Sequence, residues 1–177
     1  MADYKTVWGA QLTGPEREHI KACVELLAKD KPTLTAVNIG IMWGGTMWCI
    51  RAGAPHAQLY GVDITPDKWK ITEREALAAT IIQGDSRICH QDFEAPIDYL
   101  LIDGDHHYAT VKADIAGWVP KCRGIVTFHD YAPTELNMRQ FPELEGVKRA
   151  VDEWFSTQVG WVELPAPDSL RTFQWQN

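Results

Sequence analysis

The chain is poor in the features that would tie it to a membrane, a nucleic acid or a disulfide frame. No apolar stretch approaches the length needed to cross a bilayer. The opening residues, MADYKTVWGAQLTGPEREH, show no basic-then-apolar leader. No Lys/Arg-rich run offsets the net charge of −7, which argues against an electrostatic grip on nucleic acid or anionic lipid. Cysteine is sparse and scattered: Cys23, Cys49, Cys89 and Cys122 form no CxxC pair, so they read as reduced thiols rather than a disulfide frame or zinc knuckle. Internal repeats and low-complexity tracts are also missing. A soluble, cytoplasmic protein that binds neither nucleic acid nor membrane is expected.

With 177 residues, 45% hydrophobic and 23% charged, the composition is that of an ordinary globular chain with a good-sized core. One domain over 1–177 is expected, with an N-terminal helical segment over 1–30 and a core over 34–177. The eight tryptophans read mostly as packing aromatics. Trp43 lies inside a glycine loop, and Trp8 and Trp69 have polar flanks suited to a cleft wall.

Strand and helix patterns alternate. Residues 14–29 carry Ile20, Cys23, Val24 and Leu27 at helical spacing, with Thr13 and Glu16 placed for a capping box. Strands are predicted at 34–40, 58–64, 80–85, 97–102 and 124–129, and helices at 44–53, 66–79, 107–119 and 142–156. The connection at 86–96 is short for a crossover helix, and 131–142 reads as a loop. Two further strands close the chain around PAPDS and should pair antiparallel at one edge. Such alternation implies a doubly wound α/β sheet with helices on both faces.

Chemistry collects where the strands end. The apolar run IDYLLI, 97–102, leads into Asp103, Asp105, His106 and His107, and GIVTF leads into His129, Asp130 and Tyr131. Ligands of open α/β sheets bind beyond such carboxyl ends, so acid and imidazole delivered twice to one rim suggest a metal or proton-transfer site. The first strand runs into Asn38, Gly40, Gly44, Gly45 and Thr46. Gly40 permits a tight turn, Gly44 a close pass by a ligand, and the following helix offers free N–H groups. Asp63 ends the second strand 23 residues after Gly40, a spacing at which an acid can accept both hydroxyls of an adenosine ribose. Asp85, after the third strand, could reach an adenine amino group. A nicotinamide dinucleotide protein would normally show GxGxxG, which is absent.

These residues, over about 34–155, resemble the class I S-adenosylmethionine-dependent methyltransferases. The likeness is to the compact group whose fourth strand ends in IDGDH(S/H)Y and whose fifth ends in HD; sugar, macrolide and catechol O-methyltransferases are more distant. The resemblance implies a three-layer Rossmann-like fold, with a seven-stranded sheet in the order 3-2-1-4-5-7-6 and the seventh strand antiparallel. It implies S-adenosylmethionine over Gly40–Gly44, with Asp63 on the ribose and Asp85 and Ser86 bordering the adenine. Asn38 stands where the family usually has an acid at the methionine end. It can accept a hydrogen bond but offers the ammonium group no charge, and Asp103 is the candidate to compensate.

Methyl transfer to oxygen needs in-line placement, a deprotonated nucleophile and exclusion of water. Asp103 and Asp130 are the candidate ligands for Mg²⁺ or another divalent cation, with His129 as a third. Metal-dependent relatives often carry an acid at the His129 position, so imidazole there tilts the site toward a softer metal or none. His106 is the candidate general base, because relatives often carry a base three residues after the first Asp. Asp105 or His107 reads alternatively as a cap of the following helix. Tyr131, Asn137, Met138, Arg139 and Phe141 sit on the loop expected beside the reacting methyl, with Arg139 either reading an acceptor anion or simply solvated. With no large substrate-binding insertion, the site is open or completed by a second subunit of a homo-oligomer. Small-molecule O-methyl transfer is the leading reading. A methyltransferase-like accessory module and a metal-dependent hydrolase are the alternatives.

Overall fold

A computed structural model describes residues 12–31, 33–66 and 75–176. The cleft roles expected of Trp8 and Trp69, and most of the helix expected at 66–79, lie outside these residues.

Helix α1 (Gly14–Ala28) starts at the capping box read from the sequence: Thr13 accepts from the Glu16 N–H, and Glu16 accepts from the Thr13 N–H. Strand β1 (Thr35–Ile39) leads into α2 (Gly45–Gly53), then β2 (Gln58–Asp63) and β3 (Thr80–Gln83). A short helix, α3 (Ser86–Cys89), and one 3₁₀ turn fill the thin connection to β4 (Ile97–Ile102). Then follow α4 (Tyr108–Trp118), β5 (Cys122–Phe128), α5 (Glu135–Gln140), α6 (Glu145–Phe155), β6 (Trp161–Leu164) and β7 (Arg171–Trp175).

The seven strands form one sheet in the order β3-β2-β1-β4-β5-β7-β6. The pairs from β3 through β5 are parallel, while β7 runs antiparallel to both β5 and β6. All six residues of β4 are buried, as a central strand covered on both faces requires. Strand alternation sends Ala36, Tyr99, Leu101 and Ile125 to the face covered by α1 and α2. Val37, Leu100, Ile102 and Val126 face α4 and α6 on the other side. Trp118, fully buried, donates from its indole to the Ser86 carbonyl at 3.0 Å, tying α4 to the segment after β3.

Two boundaries differ from expectation. The segment read as a loop at 131–142 contains α5, capped by Thr134, whose hydroxyl accepts from the Asn137 N–H at 3.2 Å. The last helix begins at Glu145 rather than 142, because Pro142–Leu144 forms a 3₁₀ turn. Among the described residues no helix is long and apolar enough to cross a membrane.

Candidate active site

A cavity of about 950 Å³ opens along the carboxyl ends of β1 to β5. Its wall includes Gly40 and Thr46 after β1, Asp63 at the end of β2, and Asp85 and Ser86 after β3. Asp103 and His106 after β4, and His129 and Asp130 after β5, complete the same wall. The strand ends therefore meet on one rim. Asn38 and Gly44 do not line it. Asn38 is wholly buried beneath the loop, donating from Nδ2 to the Gly40 carbonyl at 2.9 Å, while its Oδ1 has no partner.

Gly40 has φ +82°, and a Cβ there would lie 1.9 Å from the Asp103 carbonyl oxygen. Only glycine lets β1 leave the sheet this close to β4. Gly44, also left-handed at φ 78°, caps α2 without a side-chain hydrogen bond, and Gly45 and Thr46 of the first turn reach the cavity. Asp63 holds the loop directly: Oδ2 accepts from the N–H groups of Ile41 (2.9 Å) and Met42 (3.2 Å), and Oδ1 from Thr65 (2.8 Å). These bonds occupy three of the roughly four lone-pair sites of a carboxylate. Asp85 is engaged too. It caps α3 and takes a fork from Arg87, with Nε at 2.9 Å and Nη2 at 2.5 Å, and that guanidinium holds its carboxyl below the usual range.

The acid–imidazole end is built around His129, which is 5% exposed. Its Nδ1 lies 3.2 Å from Asp103 Oδ1 and 3.0 Å from Asp130 Oδ2. Its Nε2 lies 3.7 Å from Glu16 Oε2. Neither ring nitrogen is aligned for a hydrogen bond. Burial opposes charge on this ring, yet the surrounding carboxylates prevail and its pKa is raised. Asp130 has φ +55°, a left-handed turn that Asp tolerates better than most residues, and it sits at the site where such strain is informative. Burial pushes the Asp130 carboxyl up, but His106 and His129 reverse this and hold it low. His106 Nε2 is 3.2 Å from Asp130 Oδ2, which raises the pKa of the imidazole.

Asp103, His129 and Asp130 each offer a ligand atom, all within 4.8 Å of one another. Two carboxylates and an orphaned, buried imidazole fit a divalent cation, with one nitrogen in an otherwise oxygen set. Gly40, Thr46 and Asp63 on the cavity wall fit the nucleoside end of S-adenosylmethionine, whereas Asn38, buried and off that wall, is not placed to meet its ammonium group.

Other candidates fall outside the cavity or serve as caps. Asp105 accepts from the Thr110 hydroxyl (2.8 Å) and the His107 backbone (3.2 Å) at the start of α4. Burial raises the Asp105 carboxyl, but these donors and the His107 ring lower it to about 2. Arg139 is 79% exposed, lies 3.7 Å from Glu135 and does not line the cavity. Tyr131 points away into a cluster with Lys148, Asp152 and Arg171. Trp43 is exposed and does not line the cavity. Asn137 and Phe141 do line it.

Three buried acids escape sequence reasoning: Asp98, which accepts from Lys31 and from the Thr35 N–H, Glu16 and Asp114. Glu16 reads as a helix cap and nothing more. Asp114 sits fully buried on α4, with neither oxygen in a well-aligned hydrogen bond. Burial pushes its carboxyl from 3.8 up to about 6; the Ser86 hydroxyl and Arg87 oppose this, while Asp85 and Asp105 reinforce it. Because the folded pKa exceeds the unfolded one, native Asp114 holds its proton longer than the unfolded chain does. Stability therefore falls as pH rises from about 4 to about 6 and stays lower above that. Asp114→Asn is expected to remove this decline and to be more stable than wild type at pH 7 by roughly 2–3 kcal/mol, with the two alike near pH 4. Urea denaturation across this range checks it; a variant less stable at pH 7 would show that the carboxylate is compensated.

Residues 37–131 match the methyltransferase domain family. A putative caffeoyl-CoA O-methyltransferase from Staphylococcus aureus superposes with a TM-score of 0.71 at 13% identity, covering 94% of this chain and 85% of that one. The O-methyltransferase from Bacillus cereus, solved with S-adenosylhomocysteine, gives 0.70 at 12% identity, over 96% and 84%. MycE, from the mycinamycin biosynthetic pathway and solved with Mg, S-adenosylhomocysteine and mycinamycin VI, gives 0.67 at 17% identity, over 98% and 52%. Uncharacterized protein y4gI of Sinorhizobium fredii is 32% identical over 81 residues, which span 44% of this chain but only 9% of that curated relative.

Proposed function

The chain belongs to the methyltransferase domain family, and on that premise we propose that it transfers the methyl group of S-adenosylmethionine to a hydroxyl oxygen of a small molecule, with a divalent cation beside the acceptor. The observation that carries this reading is the single cavity in which the glycine turn, Asp63 and the Asp103–His129–Asp130 cluster all share a wall. Gly40, Thr46, Asp63 and Ser86 would hold the nucleoside end, with Asp85 at its border. Asp103, Asp130 and His106 would face the acceptor.

In the transfer, a bond forms between acceptor oxygen and methyl carbon as the carbon–sulfur bond breaks. The hydroxyl proton passes to His106. Asp130, 3.2 Å from its Nε2, orients that ring and stabilises the imidazolium that results. A bound divalent cation would supply charge that favours the deprotonated acceptor oxygen; Asp103, His129 and Asp130 would hold it. The buried, apolar Leu12 and Leu144 on the cavity wall would limit water at the reacting carbon.

A methyl-labelled donor assay over a panel of small hydroxylated compounds, with and without Mg²⁺, tests the reading. His106→Ala is expected to bind S-adenosylhomocysteine as wild type does while its transfer rate falls about 10²- to 10⁴-fold. An unchanged rate would show that His106 is not the base.

A further inference from the structure

Glu16 lies outside the matched family segment, on a helix whose capping box explains only part of its environment. A capping box asks for one acceptor at the helix edge, and a half-exposed Glu or Gln meets that need. Glu16 is instead 1% exposed. Its Oε2 accepts from the Thr13 N–H at 2.8 Å and faces His129 Nε2 at 3.7 Å. Its Oε1 accepts from both the N–H (3.0 Å) and the hydroxyl (2.6 Å) of Ser169. Burial opposes its ionisation, but His129, Ser169 and Thr13 together bring its carboxyl down to about 2.

We propose that Glu16 is a positioning residue for the active site, fixing His129 with Nε2 toward α1 and Nδ1 toward Asp103 and Asp130. The inference rests on the proposed reading for its chemistry but on contacts alone for its geometry. A ring flipped about its Cβ–Cγ bond would turn carbon toward Glu16 and carbon toward both aspartates. The carboxylate behind the ring selects against that flip, as carboxylates behind metal-bound histidines do. Glu16 also braces the next residue along. The Ser169 carbonyl accepts from the N–H groups of Tyr131 (2.8 Å) and Ala132 (3.2 Å), which follow the left-handed Asp130. One carboxylate thus steadies both residues at the end of β5.

Glu16→Gln is the informative variant: it removes the charge facing His129 while its one amide oxygen can still accept from either the Thr13 N–H or the Ser169 donors, though not from both. Mn²⁺ binding followed by electron paramagnetic resonance, S-adenosylhomocysteine binding by calorimetry, and the imidazole ¹⁵N spectrum of His129 are measured on the full chain. The expected result is Mn²⁺ affinity weakened about tenfold or more, a shifted His129 spectrum and unaltered S-adenosylhomocysteine affinity. Wild-type Mn²⁺ affinity together with a wild-type His129 spectrum in Glu16→Gln would overturn the assignment. Should wild type take up no Mn²⁺, the cation in the proposed function fails, and the His129 spectrum alone decides on Glu16: a shift supports it and an unchanged pattern overturns it. If Glu16→Gln does not fold, Ser169→Ala is read by the same criteria, with a smaller effect in the same direction.

Discussion

Gly40→Ala is expected to destabilise the protein by at least about 3 kcal/mol and to abolish nucleoside binding. The new Cβ would sit 1.9 Å from the Asp103 carbonyl oxygen and 2.9 Å from the Gly104 Cα, both backbone atoms that cannot swing aside. The φ of +82° adds a left-handed penalty that no alanine escapes cheaply. Relief requires β1 and β4 to part at their carboxyl ends, where Asp103 N–H donates to the Ile39 carbonyl at 2.9 Å. That separation would move Asp103 away from His129 as well. Denaturant titration and calorimetry with S-adenosylhomocysteine check both effects. Gly14→Ala, where nothing lies within 4 Å, is the matched control and should be close to neutral. A Gly40→Ala protein with wild-type stability would mean the turn has slack that the packing does not suggest.

Asp63→Ala is expected to weaken S-adenosylhomocysteine binding about 100-fold and to cost about 1–3 kcal/mol of stability as well. Sequence spacing alone assigns Asp63 to a ribose and leaves the fold untouched by its loss. The structure adds a second role, because the N–H groups of Ile41, Met42 and Thr65 all donate to this carboxylate. Removing it frees the loop that forms the cavity floor. Asp63→Asn should fall between, since one amide oxygen can still accept while the amide nitrogen opposes a backbone donor. Affinity that survives Asp63→Ala would remove Asp63 from the ribose and leave it a loop brace.

The sheet was legible because its strands carry their own punctuation. IDYLLI is apolar at every position but Asp98 and forms a wholly buried β4; Gly40 and Asp103 then mark where β1 and β4 must stop. The rim of acids and imidazoles follows from strand ends in a parallel sheet, so Asp63, Asp103, His106, His129 and Asp130 could be gathered without coordinates. Glu16 could not, since its contact with His129 spans more than a hundred residues and the capping box already accounted for it locally. Asp114 did leave a signal. Val111, Ile115 and Trp118 form the buried stripe of α4, and a charged residue inside that stripe marks a buried acid. The helix at 135–140 was also foreshadowed, because Thr134 precedes it in the position of an N-cap. What spacing cannot disclose is occupancy. Asp85 stands where an adenine contact was expected, yet both its oxygens are taken by Arg87.

A crystal structure with S-adenosylhomocysteine tests the central claim most directly. The account predicts the nucleoside over Gly40, a ribose hydroxyl on Asp63, the adenine beside Ser86, and the sulfur directed toward Asp103 and His106. A nucleoside bound elsewhere, or a sulfur remote from the Asp103–His129–Asp130 cluster, would contradict it.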